Sequence, residues 1–415
     1  MNIKGSMSRI MNKNRNVAFG MATSMLLANA LLGLLNLIDA KMLPLDSHTL
    51  PFELADRMGS LPITHLMLGI GAGLMGLILL ALPASLSRKK MLLAGLTLLA
   101  LATLLTIFTN TALQLLACRL LAGVGSCMYF CAWISIGVGY FPRQPAMLIA
   151  CQNFISCVGL IVGTKLASVI YDSQGWQQLL SVLVLGGLPL LASLFVSILF
   201  LFKHANKTRM HLLASPEVVD PATSPWSSGP LLLAMAAACM ASASYCLIIG
   251  YTRYLREMQG LPFKAILLLV TVAVGGGALL SPVGGWLGGK FGFFKTLLVA
   301  APMTGLVGIL LFTSDSTSLP LLLLPTLLAG FGIQGVFYVN LLAAAAKSVT
   351  SVQSMRMIGL FSAVVAVFEQ LAHPLFLLVQ EQVGMRSAIL LQFSGGLLLA
   401  TCFVWLAQRK LRPTS

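Results

Sequence analysis

Along this chain apolar residues gather into long blocks separated by short polar clusters, and block length is the first informative quantity. A bilayer core of about 30 Å takes ~20 helical residues at ~1.5 Å each. On that ruler twelve blocks qualify, at approximately 17–38, 62–84, 91–109, 112–140, 147–170, 178–201, 229–250, 263–288, 296–313, 319–345, 357–379 and 387–408. The first follows a basic stretch (Lys4, Arg9, Lys13, Arg15) and looks like a signal peptide. It exceeds the usual apolar core of a leader and further spans follow, so it is expected to stay as the first helix. One polar stretch stands apart, Lys203–Gly229, with three prolines and mixed charges. It reads as a linker (202–228) between six-helix bundles at 1–201 and 229–415.

Composition sharpens that picture. Hydrophobic residues fill 58% of the 415 positions and charged residues 9%, at a mean hydropathy of +0.93. A soluble domain carries about 25% charged residues. The expected fold class is therefore all-α and integral to a membrane. The formal net charge of +15 would point to nucleic acid in a soluble protein, but here its placement matters more than its sum. With the N-terminus inside, 18 Lys and Arg fall on cytoplasmic segments and six on outer ones, while Arg119 and Lys165 lie within spans. This asymmetry fits the positive-inside rule and puts both termini in the cytoplasm; a count shifted by one helix would spoil it. The eight cysteines (118, 127, 131, 151, 157, 239, 246, 402) all lie in apolar blocks without metal or disulfide spacing, and read as small buried hydrophobes. Compact loops and short tails fit a bacterial inner membrane.

The two halves echo one another. Leu120-Leu121-Ala122-Gly123-Val124-Gly125 returns 207 positions later as Leu327-Leu328-Ala329-Gly330-Phe331-Gly332. Lys90 opens the third span as Lys295 opens the ninth, and Gly175-Trp176 before the sixth span returns as Gly384-Met385 before the twelfth. Several echoes in order, at offsets of 205–209, indicate a parallel duplication of a six-helix unit.

With these features the chain resembles the major facilitator superfamily. Arg119, Gly123 and Gly125 match that family's fourth-helix motif. Its loop after helix 2 usually reads Gly-x-x-x-Asp-Arg-x-Gly-Arg-Lys-Lys; here Arg88, Lys89 and Lys90 are kept, with Leu80, Ala84 and Ser87 at the Gly, Asp and Gly positions. The copy after helix 8 keeps Gly285, Lys290, Gly292 and Lys295, with Gly289 in the acidic place. The resemblance implies twelve helices in two pseudo-symmetric bundles working by rocker-switch alternating access. Spans 1, 4, 7 and 10 would line a central cavity, and spans 2, 5, 8 and 11 would form the seam. Gly69, Gly71, Gly73 and Gly275-Gly276-Gly277 are expected to permit sliding contact at that seam.

A charge inside a span costs about 2.5–3.5 kcal/mol on insertion scales, so each one needs a reason. Arg119 lies about 10 Å inside the outer boundary of span 4, counting ~1.5 Å per residue. Helical spacing puts Gly123, Ser126, Phe130 and Trp133 on its face. A cation, a hydroxyl and two aromatics in one column suit an anionic group with an apolar or cyclic body. The plainer reading is a structural arginine bonded to carbonyls or snorkelling outward; the resemblance favours function. Lys165 in span 5 is a possible second cation, with snorkelling its rival. Glu369 in span 11 sits near the midplane with His373 one turn on, and a desolvated carboxylate beside an imidazole is an economical proton relay. Asn29, Tyr245, Gln334 and Asn340, on the cavity helices, are further solute contacts, although any one of them is more often a helix–helix hydrogen bond.

Together these residues point to a secondary transporter of a small organic solute, anionic or zwitterionic, coupled to protons. One alternative is an efflux transporter for hydrophobic compounds, which Phe130, Trp133 and 20 methionines would suit. Another is a transport-inactive sensor or scaffold, against which stand the short, featureless termini. The spans hold no nucleophile–base set or metal-ligand cluster, so an enzyme is not expected. No cofactor is expected beyond a proton gradient as energy source. The expected partners are the solute and the lipid bilayer, without nucleic acid, and the expected state is a monomer.

Overall fold

The structure, a computed structural model, describes residues 63–82, 87–109, 111–159, 161–162, 224–314, 318–350 and 353–411, with Ala22, Thr23, Met25 and Asn29 of the first span. All regular elements among the described residues are helical. Seven helices are long and apolar enough to cross a membrane: Arg88–Thr106 (span 3), Leu113–Tyr140 (span 4), Ser228–Glu257 (span 7), Phe293–Thr313 (span 9), Leu319–Lys347 (span 10), Ser354–Val383 (span 11) and Met385–Leu411 (span 12). Span 8 makes an eighth, bent by 43° between Lys264–Leu279 and Ser281–Phe291. Span 2 is the helix Ile63–Ala81, and Pro145–Gly159 belongs to span 5. Lys165, the sixth span and the linker before residue 224 lie outside the described residues.

Two helix junctions are a single glycine wide. Gly292 (φ 88°) joins spans 8 and 9, and Gly384 (φ 80°) joins spans 11 and 12. Only glycine enters that region without strain, so the chain reverses there in one residue.

By its own contacts the chain divides into two compact units. The first comprises Met1–Met75, Leu86–Tyr140 and Ile155–Glu217; the second comprises Gly76–Ser85, Phe141–Phe154 and Val218–Ser415. In the first unit, span 3 packs along span 4, and span 2 meets span 4 backbone to backbone. In the second, the alanine-rich first part of span 7 (Ala234, Ala236, Ala237, Ala241 and Ala243 all buried) lets spans 11 and 12 approach closely. Close approach between small residues is how apolar helices associate when lipid is as greasy as the neighbouring helix.

The repeated glycine pairs take the same jobs in both units. A Cβ on Gly123 would run into the Leu68 carbonyl of span 2, and one on Gly125 into Leu99 and Gly95 of span 3. Correspondingly, Gly330 abuts the Ala273 backbone of span 8, and Gly332 abuts Thr304 of span 9. The duplication is therefore one of packing as well as of letters.

The seam glycines differ from expectation. Gly71 meets Leu120 and Val124 of span 4, and Gly277 meets Gly330 of span 10, so both work inside helix pairs other than the expected ones. The close contacts of spans 2 and 11 and of spans 5 and 8 use other glycines, all within the second unit. Gly76 faces Gly359 and Ala363, while Gly285 faces Ala146, Met147 and Ala150. The reason is helical phase: glycines spaced by two alternate between faces, and only tertiary packing selects which face meets which partner.

Two stability predictions arise here. Asn340 is fully buried, and its amide donates to the Gly284 carbonyl (3.1 Å) and the Val336 carbonyl (2.8 Å). A Cβ on Gly288 would strike that amide head-on. Gly288→Ala should therefore cost about 1–3 kcal/mol by overpacking, seen as a clear drop in melting temperature of the purified protein. At the other helix crossing, the Arg356 guanidinium donates through Nε (2.9 Å) and Nη2 to the Leu82 carbonyl at the C-terminal end of span 2. A helix end carries carbonyls without intrahelical donors and a partial negative charge, which an arginine satisfies twice over. Arg356→Ala should cost about 1.5–3 kcal/mol, the range for hydrogen bonds to a charged group. Hydrogen exchange should speed up at Ile78–Leu82, whose last turn closes through the Leu82 amide on the Ile78 carbonyl (3.0 Å).

Candidate functional site

In the first unit, Arg119 is among the largest fully buried side chains, at 2% exposure. It stands one turn before Gly123, where spans 2 and 4 touch. Along the same face Ser126 and Phe130 are half-buried and Trp133 is buried. The Ser126 hydroxyl donates to the Gly123 carbonyl (3.0 Å), so in this conformation it is turned along its own helix. Asn29 does likewise, its amide donating to the Met25 carbonyl (2.9 Å). Arg88 opens span 3 and donates through Nη1 to the Ser135 carbonyl near the end of span 4 (3.3 Å).

The second unit gathers a neutral polar cluster where spans 7, 11 and 12 meet. The Tyr245 hydroxyl pairs with Nδ1 of His373, and both side chains are buried, His373 at 9% exposure. One turn before Tyr245, Ser242 accepts a hydrogen bond from the Gln392 amide nitrogen (2.8 Å), which also donates to the Ala372 carbonyl (3.0 Å). Gln392 thus bridges spans 7 and 11 at the residue next to His373. Two atoms of the cluster are buried without a hydrogen-bond partner among the described residues: His373 Nε2 and Gln392 Oε1. Wide π-helical turns flank the cluster, Cys246–Gly250 directly after Tyr245 and Leu391–Gly395 around Gln392. Such turns concentrate at functional sites, because they rotate a side chain out of the regular helical register.

Glu369 and His373 are one turn apart but differently placed. His373 is buried and turned to Tyr245, whereas Glu369 is exposed, as are Val367 and Leu371 beside it in sequence. The imidazole partner is therefore a phenol rather than the carboxylate, because packing against span 7 decides which side of span 11 is enclosed. Gln334 is half-buried; its side chain reaches Ser244 (3.5 Å) and its carbonyl accepts from Asn153 of span 5 (3.2 Å). Asn340 is taken up between spans 8 and 10. Gly285 lies against span 5, and Gly292 is a helix junction. Lys290 sits over the exposed rings of Trp286 and Phe291 (4.9 and 5.3 Å to the centroids), an arrangement suited to an interfacial anchor.

Sequence reasoning passed over Ser242 and Gln392. The available signal was a polar side chain within an apolar block, which marks many positions and names no partner. Among the described residues no three His, Cys, Asp or Glu side chains group as a metal site would require.

A bundle of apolar helices with paired glycines in equivalent places, a buried cation in one unit and a neutral polar cluster in the other describes a polytopic membrane protein. The profile of the Major Facilitator Superfamily matches residues 18–376, and the chain belongs to that family. Its members are transporters rather than enzymes, so this is a multi-pass membrane protein of a transporter family. Three solved structures illustrate the likeness. A bacterial homologue of the iron transporter ferroportin, in an outward-facing state, aligns at TM-score 0.72 and 14% identity, over 95% of this chain and 99% of that one. The E. coli fucose:proton symporter FucP aligns at 0.69 and 14%, over 96% and 99%. The human organic anion transporter MFSD10 aligns at 0.67 and 16%, over 94% and 99%. At such identities the likeness is one of fold. No curated protein matches the chain in sequence.

Proposed function

We propose that this protein is a secondary active transporter of a small organic solute bearing an anionic group, coupled to protons and working by alternating access. The observation that carries the reading is Arg119, a guanidinium enclosed to 2% exposure in a membrane span, on a helix face shared with Phe130 and Trp133. Ionisable groups at such depth are costly and are retained where a cargo or ion pathway needs them. A guanidinium presents a planar fork to a carboxylate or phosphate, and aromatic neighbours suit the rest of a small organic acid. Glu369 is the proton site: its protonation removes a membrane-embedded charge and so biases one conformation over another. Lys165 is the candidate second cation.

Two of the fold neighbours are described as an organic anion transporter and as a proton symporter, both compatible with this reading. A third is described as a bacterial homologue of the iron transporter ferroportin; among the described residues no three His, Cys, Asp or Glu side chains group as metal ligands. The test is reconstitution into liposomes loaded with a pH-sensitive dye, followed by addition of a panel of small carboxylates. At least one acid should move protons, and Glu369→Gln should abolish that signal while retaining solute binding. Solute movement indifferent to an imposed pH gradient would remove the coupling. Export of hydrophobic cationic dyes, with no response to any acid, would favour the efflux alternative.

A further inference from the structure

We infer that Ser242, Tyr245, His373 and Gln392 form a second solute-recognition site, one that takes an uncharged hydroxyl. This deepens the transporter reading and rests on it: the solute class is the small organic acid proposed there, and the cluster, taken by itself within the second unit, recognises a hydroxyl of that class.

The hydrogen-bonding capacities lead there. Gln392 spends both amide protons, one on Ser242 Oγ (2.8 Å) and one on the Ala372 carbonyl (3.0 Å), which fixes the orientation of its amide. What remains is Oε1, buried and without a partner, an acceptor only. His373 shares its Nδ1 with the Tyr245 hydroxyl. Were Nδ1–H the donor, the phenol proton and Nε2 would both be left over. When the phenol donates instead, only Nε2 is left, and that nitrogen then carries the ring proton. Burying one unmet group costs less than burying two, so the phenol donates and Nε2–H is the residual donor.

The three-helix junction therefore offers one neutral N–H and one neutral carbonyl oxygen, each buried without a partner among the described residues. A hydroxyl can meet either group, accepting from the N–H or donating to the carbonyl oxygen. A carboxylate could meet only the N–H and an ammonium only the carbonyl oxygen, whereas a hydroxyl matches both kinds of group. The π-helical turns Cys246–Gly250 and Leu391–Gly395 adjoin Tyr245 and contain Gln392, local breaks in helical register of the kind that concentrates at functional sites.

The test has two arms on the full-length protein. In the first, binding constants are read from ligand-induced thermal shifts with matched acids: glycolate against acetate, lactate against propionate, gluconate against hexanoate. In at least one pair the hydroxy acid should bind about tenfold or more tightly than its partner, as sites built to bond a hydroxyl discriminate strongly against its absence. Gln392→Leu and His373→Phe should erase that preference, whereas Arg119→Ala should weaken both members of the pair. A preference that survives both cluster variants, or acids that bind with no preference, would overturn the inference; the second result would leave the anion reading standing and also covers a cluster that serves only a structural water. Failure of every acid to bind would count against the anion reading, and the second arm then decides. In that arm, 15N-histidine spectra, assigned with His373→Gln, should show His373 protonated on Nε2 with Nδ1 accepting a hydrogen bond, and Tyr245→Phe should move the Nδ1 signal. A ring protonated on Nδ1 would overturn the inference whatever the binding data show.

Discussion

Replacing Arg119 with methionine should weaken binding of the anionic solute roughly 10-fold to 100-fold while leaving the protein folded. Methionine keeps an unbranched apolar stem of similar reach and fills irregular space, so the enclosed position should not collapse. What it loses is the charge-assisted fork. Hydrogen bonds to a charged group contribute about 1.5–3 kcal/mol, and each ~1.4 kcal/mol is tenfold in affinity, so the loss should be roughly 10-fold to 100-fold. Arg119→Lys keeps the charge but not the fork and should fall between wild type and methionine. Thermal shift separates the two possible roles of this side chain. If Arg119 binds cargo, its replacement shrinks the ligand-induced rise in melting temperature, whatever the empty protein loses. An arginine that only pins helices lowers the melting temperature without ligand. Ligand-induced stabilisation that persists undiminished in the methionine variant would take Arg119 out of the binding site.

The second large effect is expected at Gly123. The Cβ of any other residue there would meet the Leu68 carbonyl and the Ala72 amide of span 2, and these are backbone atoms with no flexible end to swing away. Gly71 makes the reciprocal contact on Leu120, so the two helices touch over a full turn. Overpacking a well-fitted site costs about 1–3 kcal/mol and sometimes more; against two backbones, Gly123→Val should sit at or beyond the top of that range. The expected result is loss of the monodisperse peak in size-exclusion chromatography. Gly330→Val should behave alike, since the Ala273 backbone blocks it in the same way. Gly289→Ala is the control: nothing lies within 4 Å of its would-be Cβ, and alanine favours the helix. Wild-type stability in Gly123→Val would mean that spans 2 and 4 are not in backbone contact.

Much of the fold was legible because it depends on quantities that accumulate along the chain. Block length and scarcity of charge mark the membrane helices without knowledge of any contact. The Gly123/Gly125 and Gly330/Gly332 pairs could be matched by eye, and their packing roles match as well. The glycines of the seam were less legible. Gly69, Gly71 and Gly73 look equivalent in a list, yet Gly71 belongs to the contact with span 4 and Gly76 to that with span 11. The site divided in the same manner. Arg119 announces itself as a charge in an apolar span, whereas Gln392 is one of several amides in apolar blocks. The family loop after span 2 lacks its acidic residue at Ala84, and nothing local shows that Arg356 caps the end of that helix.

Residence in the bilayer and the internal repeat were determined by the sequence alone, because hydropathy and glycine spacing act locally and need no partner. Which polar side chains meet was decided only in three dimensions. Tyr245 finds His373 across 128 residues, Gln392 finds Ser242 across 150, and Arg356 reaches Leu82 across 274. A helix presents every face equally in one dimension, and only the packing of its neighbours selects the face that is enclosed and the hydrogen bonds that burial then requires.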